Sequence, residues 1–202
     1  MPLLVLGLLV ACGCSNGNLT QSTPSVDSSS TQAGSTSLPH SGAPKVVNPL
    51  PASVVSGDPC TDTLNPEQLK RAIGATVQGK PDTLATGPTC DWGNLETGGH
   101  VGVGYTTRTR QGLSGLYQNT KPQAIIWREL PLIQGFPAVA HVTPQGGLPD
   151  VFCAVDIGIA DDLSVDVGIF LGGSKKGKVD PCGVAAQVAD LVMTTLRQRA
   201  GG

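Results

Sequence analysis

The chain has 202 residues, of which 13 are basic and 15 acidic, so its formal net charge is −2. This balance excludes a nucleic-acid-binding protein of the basic type, because no large positive field is present to hold phosphates. Charged residues make up 14 % of the chain and aromatic residues 3 %. The composition suits one domain of ordinary size with an additional polar tail, and it identifies no activity.

The N-terminus predicts an exported lipoprotein. Residues 3–11 are apolar, and this run is too short for a membrane-spanning helix, which needs about 20 residues, but has the length of a signal-peptide core. Leu9 to Cys12 resembles the bacterial lipobox, in which the cysteine thiol takes a diacylglycerol and the signal is cut on the N-terminal side of that cysteine. We therefore predict a signal peptide over 1–11 and lipidation of Cys12. Cys14 is the alternative, because cleavage there leaves an even number of other cysteines.

A flexible tether is predicted over residues 12–57. The segment is rich in serine, threonine, proline and glycine, and only Asp27 and Lys45 carry charge. Such a composition buries too little apolar surface to offset the entropy cost of ordering. A tether of about 40 residues has a typical reach of about 35 Å.

Residues 58–199 are predicted to form a single disulfide-stapled domain. It contains Cys60, Cys90, Cys153 and Cys182, an even number that favours disulfides in an exported chain. Three pairings are possible, and pairing of sequence neighbours closes two loops of about 30 residues. The alternative, a metal site with four thiolates, lacks the closely spaced cysteine pairs that such sites use.

Two helices are marked by their end signals. Asn65, Pro66 and Gln68 predict the start of the first, and Gly74 its end. Asp180 and Pro181 begin the second, whose predicted apolar face contains Val184, Val188, Leu191, Val192 and Thr195.

Between these helices the apolar residues recur with a period of two. Strands are predicted over 101–105, 124–127, 138–142, 151–157 and 163–170, with the last two forming a hairpin about residues 160–162. A short helix is predicted over 112–119. The fold class is therefore α+β, a mostly antiparallel twisted sheet with an N-terminal and a C-terminal helix packed on it.

The residue pattern indicates no catalytic set, metal site or cofactor. His40 lies in the tether, and His100 and His141 lack partners at metal-ligand spacing. Four aspartates are close in sequence: we interpret Asp161 and Asp162 as turn residues, and Asp156 and Asp166 as a solvated strand face. Lys175, Lys176 and Lys178 are expected in an exposed loop, with a weak anion or headgroup contact as the alternative.

The cysteine pattern resembles a known family. Asp58-Pro59-Cys60, Cys90-Asp91-Trp92, Cys153 and Asp180-Pro181-Cys182 follow one another as in the actinobacterial, mycobacterial-type cell-envelope lipoproteins of unknown function. The resemblance covers about residues 57–196, together with the lipobox and tether. It implies that the first two cysteines pair and the last two pair, that Trp92 packs beside the first disulfide, and that no catalytic residues carry over.

We therefore expect a non-catalytic binding or sensor module, lipid-anchored on the outer face of the cell membrane. Its partner would be a small ligand, a lipid or an envelope protein, bound in an apolar pocket near Tyr105, Trp127 and Phe136. A structural or assembly role is the first alternative. An envelope hydrolase is the second, and it would require His100 or His141 to lie beside Ser114 or an aspartate.

Overall fold

The computed structural model describes residues 37–201. Within this range seven strands form one sheet in the order β1-β2-β3-β7-β6-β5-β4, and all neighbours pair antiparallel. The strands are β1 (Lys80–Thr83), β2 (Pro88–Asn94), β3 (Gly99–Thr106), β4 (Ile126–Ile133), β5 (Phe136–Val142), β6 (Phe152–Ala160) and β7 (Leu163–Phe170). The α+β prediction is confirmed, and β1 and β2 are strands that the sequence analysis missed.

Four α-helices accompany the sheet: α1 (Pro59–Asp62), α2 (Pro66–Ile73), α3 (Gly112–Asn119) and α4 (Pro181–Arg199). The predicted end signals of α2 are confirmed. The Asn65 side chain accepts a hydrogen bond from the Gln68 amide, and the Gln68 side chain accepts one from the Asn65 amide. Gly74 ends the helix in the left-handed conformation, at a φ of 79°.

The main core lies between one face of the sheet and α4. Its strand residues are those that alternate in the sequence, among them Val101, Val103 and Tyr105 of β3. The buried side of α4 was predicted only in part. It includes Val188 and Val192, but it is centred on residues that the prediction left out, namely Ala185, Ala189, Met193 and Leu196.

The opposite face of the sheet, which we call the second face, is covered differently. Leu113 and Tyr117 of α3 pack there against Val139 of β5, with Trp127 of β4 beside them. At Gly158 of β6 a side chain would collide with Leu113, so glycine permits the close approach of α3. The rest of this face consists largely of small and charged residues, and it holds the candidate site.

Two disulfides join helix starts to strands. Cys60 of α1 pairs with Cys90 of β2, and Cys153 of β6 pairs with Cys182 of α4, as the family resemblance implies. The carboxylates of Asp58 and Asp180 each accept the amide of the cysteine two residues later. Trp92 is 1 % exposed. A side chain at Gly79 would collide with both the Cys90 sulfur and the Trp92 indole, so the two lie side by side, as expected.

The prediction of a flexible tether is wrong for residues 37–57, which we call the N-terminal segment. Its Val46, Val54 and Val55 are 3–5 % exposed and belong to the core. The Val46 amide donates to Asp161 Oδ1 at 2.8 Å, and the Leu50 amide donates to the Ile159 carbonyl at 2.8 Å. Contacts far along the chain therefore order a segment whose own composition predicts disorder, and the folded unit begins before residue 58.

The predicted signal peptide (1–11) and the lipidation candidates Cys12 and Cys14 lie outside the described residues, as does the tether up to residue 36. In the part of the chain that the structure describes, no helix combines the length and the apolar character needed to cross a bilayer.

Candidate functional site

The candidate site lies on the second face of the sheet, where three neighbouring strands present ionisable side chains. Asp156 of β6 and Asp166 of β7 are directly opposite each other in the register. His141 of β5 is opposite Ala154, so it lies one row along the same face. Because side chains two residues apart on a strand share a face, the register brings all three groups together. We call them the His–Asp–Asp cluster.

The cluster is compact. His141 Nε2 lies 2.9 Å from Asp156 Oδ2, and one donor atom from each of the three residues can be chosen so that all lie within 4.8 Å of one another. The side chains of His141 and Asp156 are 13 % and 9 % exposed. The interpretation of Asp156 as part of a solvated strand face is therefore wrong, because α3 packs over this part of the sheet, and Asp166 beside it is half-buried.

Burial and proximity change the acidity of the cluster. Burial, reinforced by the negative charge of Asp156, raises the pKa of Asp166 to about 8, although His141 opposes the change. Burial alone would lower the pKa of His141, but its hydrogen bond to Asp156 and the charges of both aspartates outweigh this and raise it. The cluster therefore retains protons at neutral pH, because two bare carboxylates facing each other are unfavourable.

A cavity of about 240 Å³ opens beside Asp156, between α3 and the ends of β3 and β7. Its wall is rich in hydroxyl and amide side chains: Thr86, Thr106, Thr109, Gln111, Asn119, Thr120 and Ser164. We call it the threonine cavity. Such a wall offers hydrogen-bond donors and acceptors to a small polar ligand.

A second histidine–aspartate pair lies farther along the same face. His100 Nε2 of β3 is 3.4 Å from Asp91 Oδ1 of β2, and these side chains are 37 % and 41 % exposed. No third carboxylate joins them in a metal-binding arrangement within residues 37–201. This pair has the same two side-chain types as the His141–Asp156 pair but is more exposed to solvent. It therefore serves as a control for the effect of burial.

The residues named for a hydrolase are only partly brought together. His141 lies beside an aspartate, which is the base and orienting group of such an enzyme. Its other ring nitrogen, Nδ1, is buried and has no hydrogen-bond partner among the described residues. The Ser114 hydroxyl accepts a hydrogen bond from the His40 amide at 2.9 Å, so it serves to hold the N-terminal segment.

The predicted apolar pocket near Tyr105, Trp127 and Phe136 is wrong. Tyr105 and Phe136 belong to the core beneath α4. Trp127 instead packs beside Leu113, Tyr117 and Val139 on the second face. Phe136 lines a cavity of about 380 Å³ between residues 48–51 and the end of α4, but Arg197 is the only ionisable residue there. The sequence alone does not show which face of the sheet each of these three aromatic side chains occupies.

Other predicted residues lie apart from the cluster. Asp161 and Asp162 do form the turn of the β6–β7 hairpin, and Asp162 pairs with Arg110. Lys175, Lys176 and Lys178 are exposed in a turn before α4, as expected.

One signal in the sequence could have found the acidic pair. The turn at Asp161 and Asp162 pairs Ala160 with Leu163 and so brings Asp156 within one position of Asp166, and a bulge between Gly158 and Ala160 then sets the two directly opposite. His141 carries no such signal, since a loop of nine residues separates β5 from β6 and leaves their register open.

The domain consists of an antiparallel sheet with a disulfide-linked helix on one face and the His–Asp–Asp cluster on the other. It is therefore a disulfide-stabilised α+β domain. The chain belongs to the family described as "Protein of unknown function (DUF3558)", whose model matches residues 8–195. No curated protein and no solved structure matches the chain significantly.

Proposed function

We propose that this chain is a non-catalytic binding module of the actinobacterial cell envelope, lipid-anchored on the outer face of the cell membrane, and that it binds a small polar ligand in the threonine cavity. The observation that carries the proposal is the wall of the cavity. Seven hydroxyl or amide side chains surround a space of about 240 Å³ beside a carboxylate whose side chain is 9 % exposed. These side chains offer hydrogen-bond donors and acceptors to a small polar ligand, and the carbon surface of Leu116 and of the threonine methyl groups would contact the apolar parts of that ligand.

Export and anchoring are supported by the N-terminal pattern and the disulfides. The family match begins at residue 8 and therefore includes Cys12 and Cys14. Paired cysteines are typical of proteins outside the cytoplasm. Lipidation can be tested by mass spectrometry of the mature N-terminal peptide, with Cys12→Ala and Cys14→Ala as the two variants. A wild-type N-terminal peptide without lipid would contradict the anchor, and lipid retained in both variants would contradict its assignment to these two cysteines.

A binding role, rather than catalysis, is supported by the surroundings of His141. Its Nε2 is engaged with Asp156, and its buried Nδ1 meets no serine, threonine or cysteine within hydrogen-bond distance in residues 37–201. A base and orienting group without a nucleophile do not make a hydrolytic set.

The binding proposal is tested by blocking the cavity. Gly115 of α3 lines it, and an added side chain there meets first the flexible end of Gln111. Gly115→Leu should therefore occupy the cavity while favouring the helix. The matched control is Gln118→Leu, at an exposed position of the same helix outside the cavity.

Native mass spectrometry of protein extracted from its own envelope gives the readout. We expect a small-molecule adduct on the wild type and on Gln118→Leu, and its loss from Gly115→Leu. An adduct that survives in Gly115→Leu would place the ligand elsewhere. A bound protein in place of a small molecule would favour an assembly role.

A further inference from the structure

We propose that His141, Asp156 and Asp166 form a binding site for a divalent transition-metal ion, with Zn²⁺ as the best match. This inference goes beyond the binding function proposed above, because it requires only the His–Asp–Asp cluster and not the ligand of the threonine cavity.

The first argument is geometric. The three side chains come from β5, β6 and β7, whose ladder pairs fix the separation of the backbones. Zinc ligands lie about 2.0–2.2 Å from the ion, so neighbouring ligand atoms of a tetrahedral site are about 3.3 Å apart. The separation of 2.9 Å between His141 Nε2 and Asp156 Oδ2, and the limit of 4.8 Å over the whole cluster, allow one ion to contact all three with small side-chain rotations.

The second argument is the unmet bonding capacity of Asp156. Its side chain is 9 % exposed, yet only Oδ2 accepts a hydrogen bond from a described residue. The other oxygen has no donor in residues 37–201, and the residue lines the threonine cavity. A buried carboxylate is normally paired or bound to a metal, because its desolvation is otherwise uncompensated. The pairing with His141 meets this need at Oδ2, and Oδ1 is left free for a cation.

The third argument is the acidic pair itself. Asp166 lies directly opposite Asp156, and within residues 37–201 neither Asp166 oxygen accepts a hydrogen bond or pairs with an arginine or lysine. Like charges directly opposite each other in a sheet are destabilising. Histidine is present in place of a further carboxylate, and imidazole nitrogen favours zinc-type ions over Ca²⁺ and Mg²⁺, which prefer oxygen.

The surroundings leave room for an ion and its water. The threonine cavity reaches Asp156 and provides space for water beside the cluster. Three protein ligands leave a fourth position to solvent, as in zinc sites that exchange a ligand. Because Nδ1 of His141 has no hydrogen-bond partner in the part of the chain that the structure describes, the site lacks there the outer hydrogen bond that typically contributes 10–100-fold in affinity. We therefore expect affinity in the micromolar range.

The test is calorimetric titration of the full chain with Zn²⁺ at pH 7 after treatment with a chelator. The wild type should bind one ion per chain and release at least one proton, seen as an enthalpy that depends on the buffer, because ligands must be deprotonated. His141→Gln and Asp166→Asn should each weaken binding at least tenfold. The control is His100→Gln, which removes the exposed histidine of the similar pair and should bind as the wild type does.

Two results would overturn the proposal: no Zn²⁺ binding by folded wild type, or equal loss in His100→Gln and His141→Gln. Thermal unfolding of each variant without metal shows whether it is folded. Asp166→Asn resembles the protonated side chain, so it keeps the proposal testable if His141→Gln fails to fold. Native mass spectra of chelator-treated protein distinguish failure of the metal proposal from failure of the cavity proposal. A polar ligand in the threonine cavity does not depend on the metal and would still be seen as an adduct.

Discussion

Asp156 and Asp166 face each other across two neighbouring strands in the middle of the sheet, and no lysine or arginine among the described residues pairs with either. The nearest compensating group is His141, on the next strand. The pair is held at this separation by the backbone ladder rather than by attraction between its side chains. Its cost to folding therefore depends on whether a proton or a cation is present.

The first prediction concerns the pH dependence of stability in chelator-treated protein. The folded state raises the pKa of Asp166 to about 8, well above that of an unfolded aspartate, so unfolding releases a proton between these values. Stability should therefore fall as pH rises from 5 to 8, by at most about 1.4 kcal/mol per pH unit for this group. The raised pKa of His141 acts in the same direction.

Asp166→Asn removes the titrating group and should flatten this dependence, which urea denaturation at several pH values can measure. The variant should exceed the wild type in stability by a margin that grows with pH. The ionisable groups that remain around this position are Asp156, His141 and the more distant Asp91. A wild type whose stability is constant from pH 5 to pH 8 would contradict the prediction.

The main elements of the fold could be predicted because their signals are local. The proline and asparagine at the start of α2, and the alternation of β6 and β7, act within a few residues of the chain. By contrast, β1 is exposed at all four positions and lies at an edge, so no apolar pattern marks it. The N-terminal segment has three buried valines spread among prolines, and only distant contacts determine that they are buried.

The candidate site was harder to predict than the fold. Each of its residues sits on an otherwise apolar strand, where a lone charge is usually taken to face water. The turn at Asp161 and Asp162 places Asp156 within one position of Asp166, but the bulge that sets the two directly opposite has no local signal. Nothing local could have added His141, because its strand joins β6 through a loop that fixes no register.

The second prediction concerns the N-terminal segment. A chain that begins at residue 58 loses the burial of Val46, Val54 and Val55, each of which contributes about 1.5–3 kcal/mol when fully buried. We expect it to be less stable by about 3 kcal/mol or more in urea denaturation. A chain that begins at residue 37 is the control and should match the full chain. Equal stability of the two shortened chains would show that the segment contributes nothing.

The third prediction compares the two disulfides. Their loops are nearly equal, with sequence separations of 30 and 29, so the chain-entropy model assigns each about 3.5 kcal/mol. Replacing Cys60 and Cys90 by alanine, or Cys153 and Cys182 by alanine, should lower the free energy of unfolding by similar amounts. A loss below about 1 kcal/mol for either pair would indicate that the reduced chain is already constrained.

The fourth prediction concerns an ion pair at the end of α4. Arg199 Nη1 lies 2.7 Å from Asp62 Oδ1, and the Asp62 side chain is 10 % exposed. Arg199→Met should cost about 2 kcal/mol, because the buried carboxylate loses its charged donor. Arg197→Met, at an exposed position of the same helical turn, should change stability by less than about 0.5 kcal/mol.

The double variant Asp62→Asn with Arg199→Met distinguishes this effect from lost packing. If the unpaired carboxylate is the cause, the neutral amide should restore much of the stability, as measured by a double-mutant cycle. No recovery would assign the loss to the arginine stem.

The attachment of the N-terminal segment has a mechanical consequence. In a chain anchored through its N-terminus, any tension between anchor and domain reaches residues 37–57 before it reaches Cys60, the first cross-linked residue. The bond of the His40 amide to Ser114 would bear that load first, followed by the bonds of Val46 and Leu50 to the β6–β7 hairpin. The N-terminal segment would detach at a lower force than is needed to unfold the disulfide-linked sheet. Its detachment would increase the distance between the anchor and the domain while the sheet stayed folded.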